Sequence, residues 1–196
     1  MRAAFVSVLS LTAATAFADV RWNEFVHGDI SSDPNAPTPL VFGLGGNTII
    51  GSVLGPDDRR DYITFDVPAG MALAALYQHQ YVDLDSGGPG NLGFHAINEG
   101  NTSWIPDQNT VGFFLGSNHM FPEVPGTDVL PQLADIPFGG IGFDIPLGPG
   151  TYTYLIQQTG PDNTGYTLEF WLIPTPPSAA ALALATPALL RRRRTN

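Results

Sequence analysis

The chain contains no cysteine and no lysine. Without cysteine there is no disulfide, no thiolate metal site and no lipidated cysteine, so burial or bound ions must hold the fold. Without lysine, positive charge rests on eight arginines, and only Arg21, Arg59 and Arg60 of these fall between Asp19 and Ile173. All eighteen acidic residues lie in that same stretch, which leaves it with a formal excess of fifteen negative charges. Such a surface repels phosphate backbones and anionic lipid, which argues against nucleic acid as a partner, and it suits divalent cations.

Catalytic signatures are missing as well. The four histidines, His27, His79, His95 and His119, lie far apart, and none has the i, i+4 spacing of a helical zinc site. His79 and His95 could meet only across strands; surface or hydrogen-bonded positions are the plainer reading. No Gly-x-Ser-x-Gly elbow occurs. The run Gly88-Pro89-Gly90-Asn91-Leu92-Gly93 matches a dinucleotide fingerprint in letters alone, because that motif works only between a strand and a helix start. The chain is therefore read as non-enzymatic, and a secreted hydrolase built on Asp and Glu pairs is the weakest of the alternatives.

Both termini carry information. Arg2 precedes an apolar run from Ala3 to Phe17, and Ala16-Phe17-Ala18 is small at both outer positions. That pattern predicts a signal peptide over residues 1–18, cut between Ala18 and Asp19. At the other end, residues 174–196 hold Pro174-Thr175-Pro176-Pro177-Ser178, twelve mainly apolar residues from Ala179 to Leu190, and Arg191 to Arg194. Twelve residues are fewer than the about 20 of a membrane span. Arginines beyond an apolar segment stay on the cytoplasmic side, so the order predicts an exported chain in transient membrane contact through a short apolar helix.

This order of proline motif, apolar segment and arginine cluster resembles the PEP-CTERM sorting tails of bacterial exported proteins. The resemblance implies an exosortase-like sorting peptidase as partner, reading Pro174, Pro176 and Arg191, Arg192, Arg193 and Arg194. Thr175 stands where that family has glutamate. The implied destination is the cell surface or the extracellular matrix.

The intervening residues 19–173 have the length of one domain. Twenty-two glycines and eighteen prolines in the chain leave little room for helices and punctuate short apolar runs as turns do. In Tyr62–Val67, Ile63, Phe65 and Val67 share one face while Tyr62, Thr64 and Asp66 share the other. The same alternation recurs at Tyr152, Tyr154 and Ile156, and at Tyr166, Leu168, Phe170 and Leu172. Further strands are predicted at Pro39–Leu44, Asn47–Leu54, Leu92–Ile97 and Val111–Leu115. Met71–Ser86 is ambiguous: Leu73, Leu76, Tyr77 and Tyr81 fit a helical face, yet Met71, Leu73, Ala75 and Tyr77 alternate, and we read a strand. Trp104 and Phe121 are expected to anchor the loop-rich segment 98–144 inward. Strands at this spacing predict an all-β fold, a single β-sandwich.

Gly51-Ser52-Val53, Asp61 through Gly70, Gly150-Thr151-Tyr152-Thr153 and Tyr166-Thr167-Leu168 together resemble the bacterial pre-peptidase C-terminal (PPC) domain. That resemblance implies a jelly-roll-like β-sandwich acting as an accessory or binding module.

Two acidic loops suggest structural calcium, which takes six to eight oxygen ligands. One places Asp57, Asp58 and Asp61 just before a strand; the other has Asp83 and Asp85 ahead of Ser86-Gly87-Gly88. The alternatives are a solvated turn neutralised by Arg59 and Arg60, and an ordinary acidic hairpin. Trp104 and Trp171 are the candidates for stacking on a sugar ring. The leading expectation is thus a non-catalytic exported protein, structural or adhesive; the alternative is a carbohydrate-binding module with structural calcium, bound to extracellular polysaccharide.

Overall fold

The computed structural model of the chain describes residues 18–55, 58–89, 92–103, 111–135 and 139–175. Residues 1–17 of the predicted signal peptide 1–18, Asp57, Trp104, Pro176, the predicted C-terminal apolar helix and Arg191 to Arg194 lie outside the described residues.

Period-two burial builds strands wherever it was expected to be cleanest. One sheet consists, in spatial order, of β1 (Asp19–Asn23), β3 (Gly45–Val53), β10 (Thr164–Pro174), β5 (Met71–Asp83) and β8 (Thr127–Asp128). The other consists of β2 (Thr38–Leu40), β4 (Arg60–Val67), β9 (Gly150–Gln158), β6 (Gly93–Glu99) and β7 (Gly116–Met120). Strands β1 and β2 pair in parallel with β3 and β4; every other pairing is antiparallel. Two short helices, α1 (Glu24–His27) and α2 (Leu130–Ala134), complete the elements used below.

The all-β sandwich expectation holds, because the two sheets bury one shared apolar layer. Ile63, Phe65 and Val67 enter it from β4 and Leu168, Phe170 and Leu172 from β10. Phe170 sits at its centre, with ring centroids 5.2 Å from Phe42, 5.3 Å from Phe65 and 5.1 Å from Tyr154. Each such side chain, fully buried, contributes about 1.5–3 kcal/mol. Among the described residues no helix is long and apolar enough to cross a membrane.

The ambiguity at Met71–Ser86 has a structural cause. The segment is strand β5, but its register against β10 slips twice. Thr167 pairs with Gln80 and Leu168 with Gln78, while Trp171 pairs with Ala75 and Leu172 with Leu73. His79 and Ala74 are therefore extra residues, each a bulge that shifts the alternation by one. Leu73, Leu76 and Tyr81 reach the core as a result, and their spacing mimics a helical face.

The strand predicted at Pro39–Leu44 stops at Leu40, and two expectations in the segment 98–144 are corrected. Val111–Leu115 is not a strand: Val111–Phe113 form a 3-10 turn, and Phe114 plugs a small apolar cluster with Tyr62, Ala96 and Leu155 on the outer face of the second sheet. Phe121 does not anchor inward but is 50% exposed. Met120, the last residue of β7, occupies the inward position instead, and Phe121 follows after the strand has ended.

Candidate metal centre

At the end of the sandwich where β3 turns into β4, the inward-facing strip changes from apolar to polar. By strand parity Asp61 continues the row of Ile63, Phe65 and Val67, Tyr166 continues the row of Leu168 and Phe170, and Gly51 lies between Ile49 and Val53. Asp61 is fully buried. The Tyr166 hydroxyl donates to its Oδ2 at 2.6 Å, while its Oδ1 is buried with no hydrogen-bond partner.

The N-terminal segment closes this end. Strand β1 runs alongside β3 and is followed by the single turn of α1, whose start is capped by Asn23 Oδ1 accepting from the Phe25 N–H at 3.0 Å. Gly28, at φ 89°, ends the turn in a conformation that favours glycine. The turn places Glu24 over the sandwich end. There its Oε2 accepts from the Ser52 N–H at 2.7 Å and the Ser52 hydroxyl at 3.1 Å, and its Oε1 from the Ile30 N–H at 3.3 Å. Asp29 follows on the exposed side. Ligand atoms of Glu24, Asp29 and Asp61 all lie within 4.8 Å of one another.

Asp58 stands close by, in the turn bridged by Leu54 and Asp58, with its own Oδ1 buried and unpartnered. The electrostatics follow from this crowding. Burial first, then the charges of Glu24, Asp58 and Asp29, push the Asp61 carboxyl well above its ordinary value. Burial and the Asp29 charge raise Asp58 to about 6. Burial also raises Glu24 against the hydrogen bonds from Ser52 and Ile30. Hydrogen bonds lower Glu24 and Asp61 against this repulsion, and among the described residues no cationic side chain contributes to the shift of any of the three. Like charges gathered with a buried, unpaired carboxylate oxygen are stable when a cation sits among them or when protons are taken up.

Gly51 leaves the room that the Tyr166 hydroxyl and the Glu24 carboxylate occupy. A Cβ there would collide with the Tyr166 hydroxyl and lie 3.0 Å from Glu24 Oε1. The Gly51→Ala variant is expected to lose about 1–3 kcal/mol of stability from overpacking and to lose its melting response to calcium, read by thermal denaturation with and without chelator.

Of the residues chosen from sequence, the structure brings Asp61 into this centre and leaves Asp58 beside it, outside the set within 4.8 Å. Glu24 and Asp29 were missed, because they lie far from Asp61 in the chain and no local spacing links them. The second acidic loop joins no such cluster among the described residues. Asp83 Oδ1 accepts from the Asp85 N–H at 2.8 Å, and the Ser86 hydroxyl donates to its Oδ2 at 2.5 Å. These bonds, the hydroxyl's foremost, hold the Asp83 carboxyl below its ordinary value. Asp85 accepts from Asn163 Nδ2 at 3.1 Å, so this loop reads as a self-capped turn.

His79 and His95 do not meet. His95 points between the sheets, with Nδ1 2.7 Å from the Tyr154 hydroxyl, and burial drives its pKa down to about 3. His79 is on the outer face of the first sheet, as is Trp171. Pro174 ends β10 in an exposed position. The chain matches no protein-family model and no curated protein.

Proposed function

We propose that this protein is an exported, non-catalytic β-sandwich that holds calcium at the Glu24, Asp29 and Asp61 centre and serves as a structural or adhesive component of the cell surface or extracellular matrix. The observation that carries the cation is Asp61: a fully buried carboxyl with one unpartnered oxygen, facing two further carboxylates. An all-oxygen donor set suits a hard cation, and calcium tolerates the irregular geometry better than magnesium. Asp58, in the adjoining turn, adds negative charge beside the centre. The ion would tie the N-terminal segment to the two sheets and so stabilise the fold without any disulfide.

The finer fold reading is a jelly roll of the kind implied by the PPC resemblance. It is supported by the strand order: β3-β10-β5-β8 faces β4-β9-β6-β7, two four-stranded antiparallel sheets between which the chain crosses at every step from β3 to β10 except β6 to β7. Parallel strands β1 and β2 are then additions at the edges.

Export and sorting rest on the two ends of the sequence. β10 runs from Thr164 beside the acidic centre to Pro174 at the opposite end of the sandwich, so a tail held in a membrane would leave the centre pointing away from it. The test is intact-mass analysis of the protein from its native cell fraction. The expected species begins at Asp19 and has lost Arg191 to Arg194; a chain still carrying residues 1–18, or one ending in Thr195-Asn196, overturns export with sorting by cleavage.

A further inference from the structure

The outer face of the β5–β10 pair carries a group of side chains that neither the core nor the acidic centre uses. Trp171 and Tyr77 lie with ring centroids 6.5 Å apart and planes at 73°, so one ring forms a floor and the other a wall. Tyr77 is 6.3 Å from the His79 ring. His79 Nε2 lies 2.5 Å from Glu169 Oε2, with the Glu169 side chain only 9% exposed and that of His79 40% exposed.

This arrangement depends on two local features of the backbone. His79 is the extra residue of a β5 bulge, a device that re-aims a side chain, and here it meets a carboxylate on the neighbouring strand. Gly46, opposite Trp171 on β3, leaves the space in which the Glu169 carboxylate lies; a Cβ there would collide with it. Beyond Gln78 the short strand β8 stops pairing with β5, and a groove of about 380 Å³ opens along the free edge. His79 is at its head, and Glu123, Pro122 and Pro125 are on its far side.

We propose that the Trp171–Tyr77 platform and the groove beyond His79 form a binding site for a neutral oligosaccharide. Aromatic faces stack on the C–H side of a sugar ring, while the His79–Glu169 pair offers a nitrogen and a held carboxylate to ring hydroxyls. The groove is of the size that small-ligand sites have. Its occupant is neutral because Glu169 and Glu123 flank the site on a body with fifteen excess negative charges, and among the described residues neither arginine nor lysine lines the groove. The site lies on the sheet face, is independent of the cation centre, and goes beyond that reading.

The experiment titrates the full-length protein with cellohexaose, xylohexaose, mannohexaose and maltohexaose, and with an alginate hexamer as anionic probe. Calorimetry is run in calcium and again in chelator. At least one neutral hexamer binds, alginate does not, and the affinity is the same in both buffers. Trp171→Ala and Tyr77→Ala each weaken binding about tenfold or more, Glu169→Gln weakens it with the melting temperature kept, and Val41→Ser, exposed just past the end of β2, leaves it unchanged. The proposal is overturned if no neutral hexamer binds at millimolar concentration, if alginate binds as well as they do, or if both Glu169→Gln and Tyr77→Ala, still folded by their melting curves, bind like the wild type. Because calcium-dependent melting is read in the same samples, failure of this site leaves the cation centre standing, and the reverse.

Discussion

Saturating calcium raises the melting temperature of the chelated protein by roughly 5–10 °C. A ligand at a hundredfold excess over its dissociation constant stabilises the folded form by about 2.7 kcal/mol, and each kcal/mol moves the midpoint of a domain this size by about 2–4 °C. The diagnostic variant is Asp61→Asn. It removes one buried charge from a group of carboxylates while its amide oxygen can still accept the Tyr166 hydroxyl, now 2.6 Å from Oδ2. In chelator the variant therefore melts at or above the wild-type temperature, because the unpaired charge is gone. In calcium it gains nothing, because the central ligand has lost its charge. A core position would behave otherwise: its substitution would lower both curves together. Asp83→Asn is the control, since that carboxyl serves only its own turn, and it keeps the full calcium increment. A wild-type melting curve indifferent to calcium, or an Asp61→Asn protein that still responds, removes the metal centre.

Most of the architecture was readable because alternation is a local signal. Ile63, Phe65 and Val67, and Leu168, Phe170 and Leu172, could be placed on an inward face from their own neighbours in sequence, and all six are in the core. The failures share a different cause. β5 contains two bulges, and a bulge is set by what the partner strand does, so the burial of Leu73, Leu76 and Tyr81 could not be phased from their spacing alone. Phe114 faces a cluster on the outside of the second sheet, a layer that alternation does not register. The acidic centre was half legible. Asp61 has the same parity as Ile63 and Phe65, so an inward-facing carboxylate could have been read from the strand itself, and the absence of a side chain at Gly51 between Ile49 and Val53 fits the same row. Glu24 and Asp29 could not have been found this way. They reach Asp61 only because β1 adds in parallel beside β3 and α1 then carries the chain across the sandwich end, a tertiary fact with no mark in local composition.

The calcium increment grows as pH rises from about 5 to about 7.5, and it is this difference, not either melting curve alone, that isolates the centre. In chelator, Asp58, Asp61 and Glu24 all have folded-state values above their unfolded ones, Asp58 at about 6 against 3.8. The folded form thus holds their protons more tightly than the unfolded chain does. The resulting stability is complete below the unfolded values and is lost as pH rises through the folded ones. His95 acts in the opposite sense over the same window: burial lowers it from 6.5 to about 3, so its contribution is present above 6.5 and falls away as the solution is acidified. The two trends partly cancel in the absolute melting temperature. They separate once calcium is added, because His95 contributes equally to both curves while a bound cation must displace the protons of the carboxyls that ligate it. Calcium therefore competes with bound protons near pH 5 and meets ionised ligands near neutrality, which makes the curves with and without it diverge upward. Asp61→Asn flattens that divergence. An increment that stays constant from pH 5 to 7.5 would mean that calcium binds somewhere other than among these raised carboxyls.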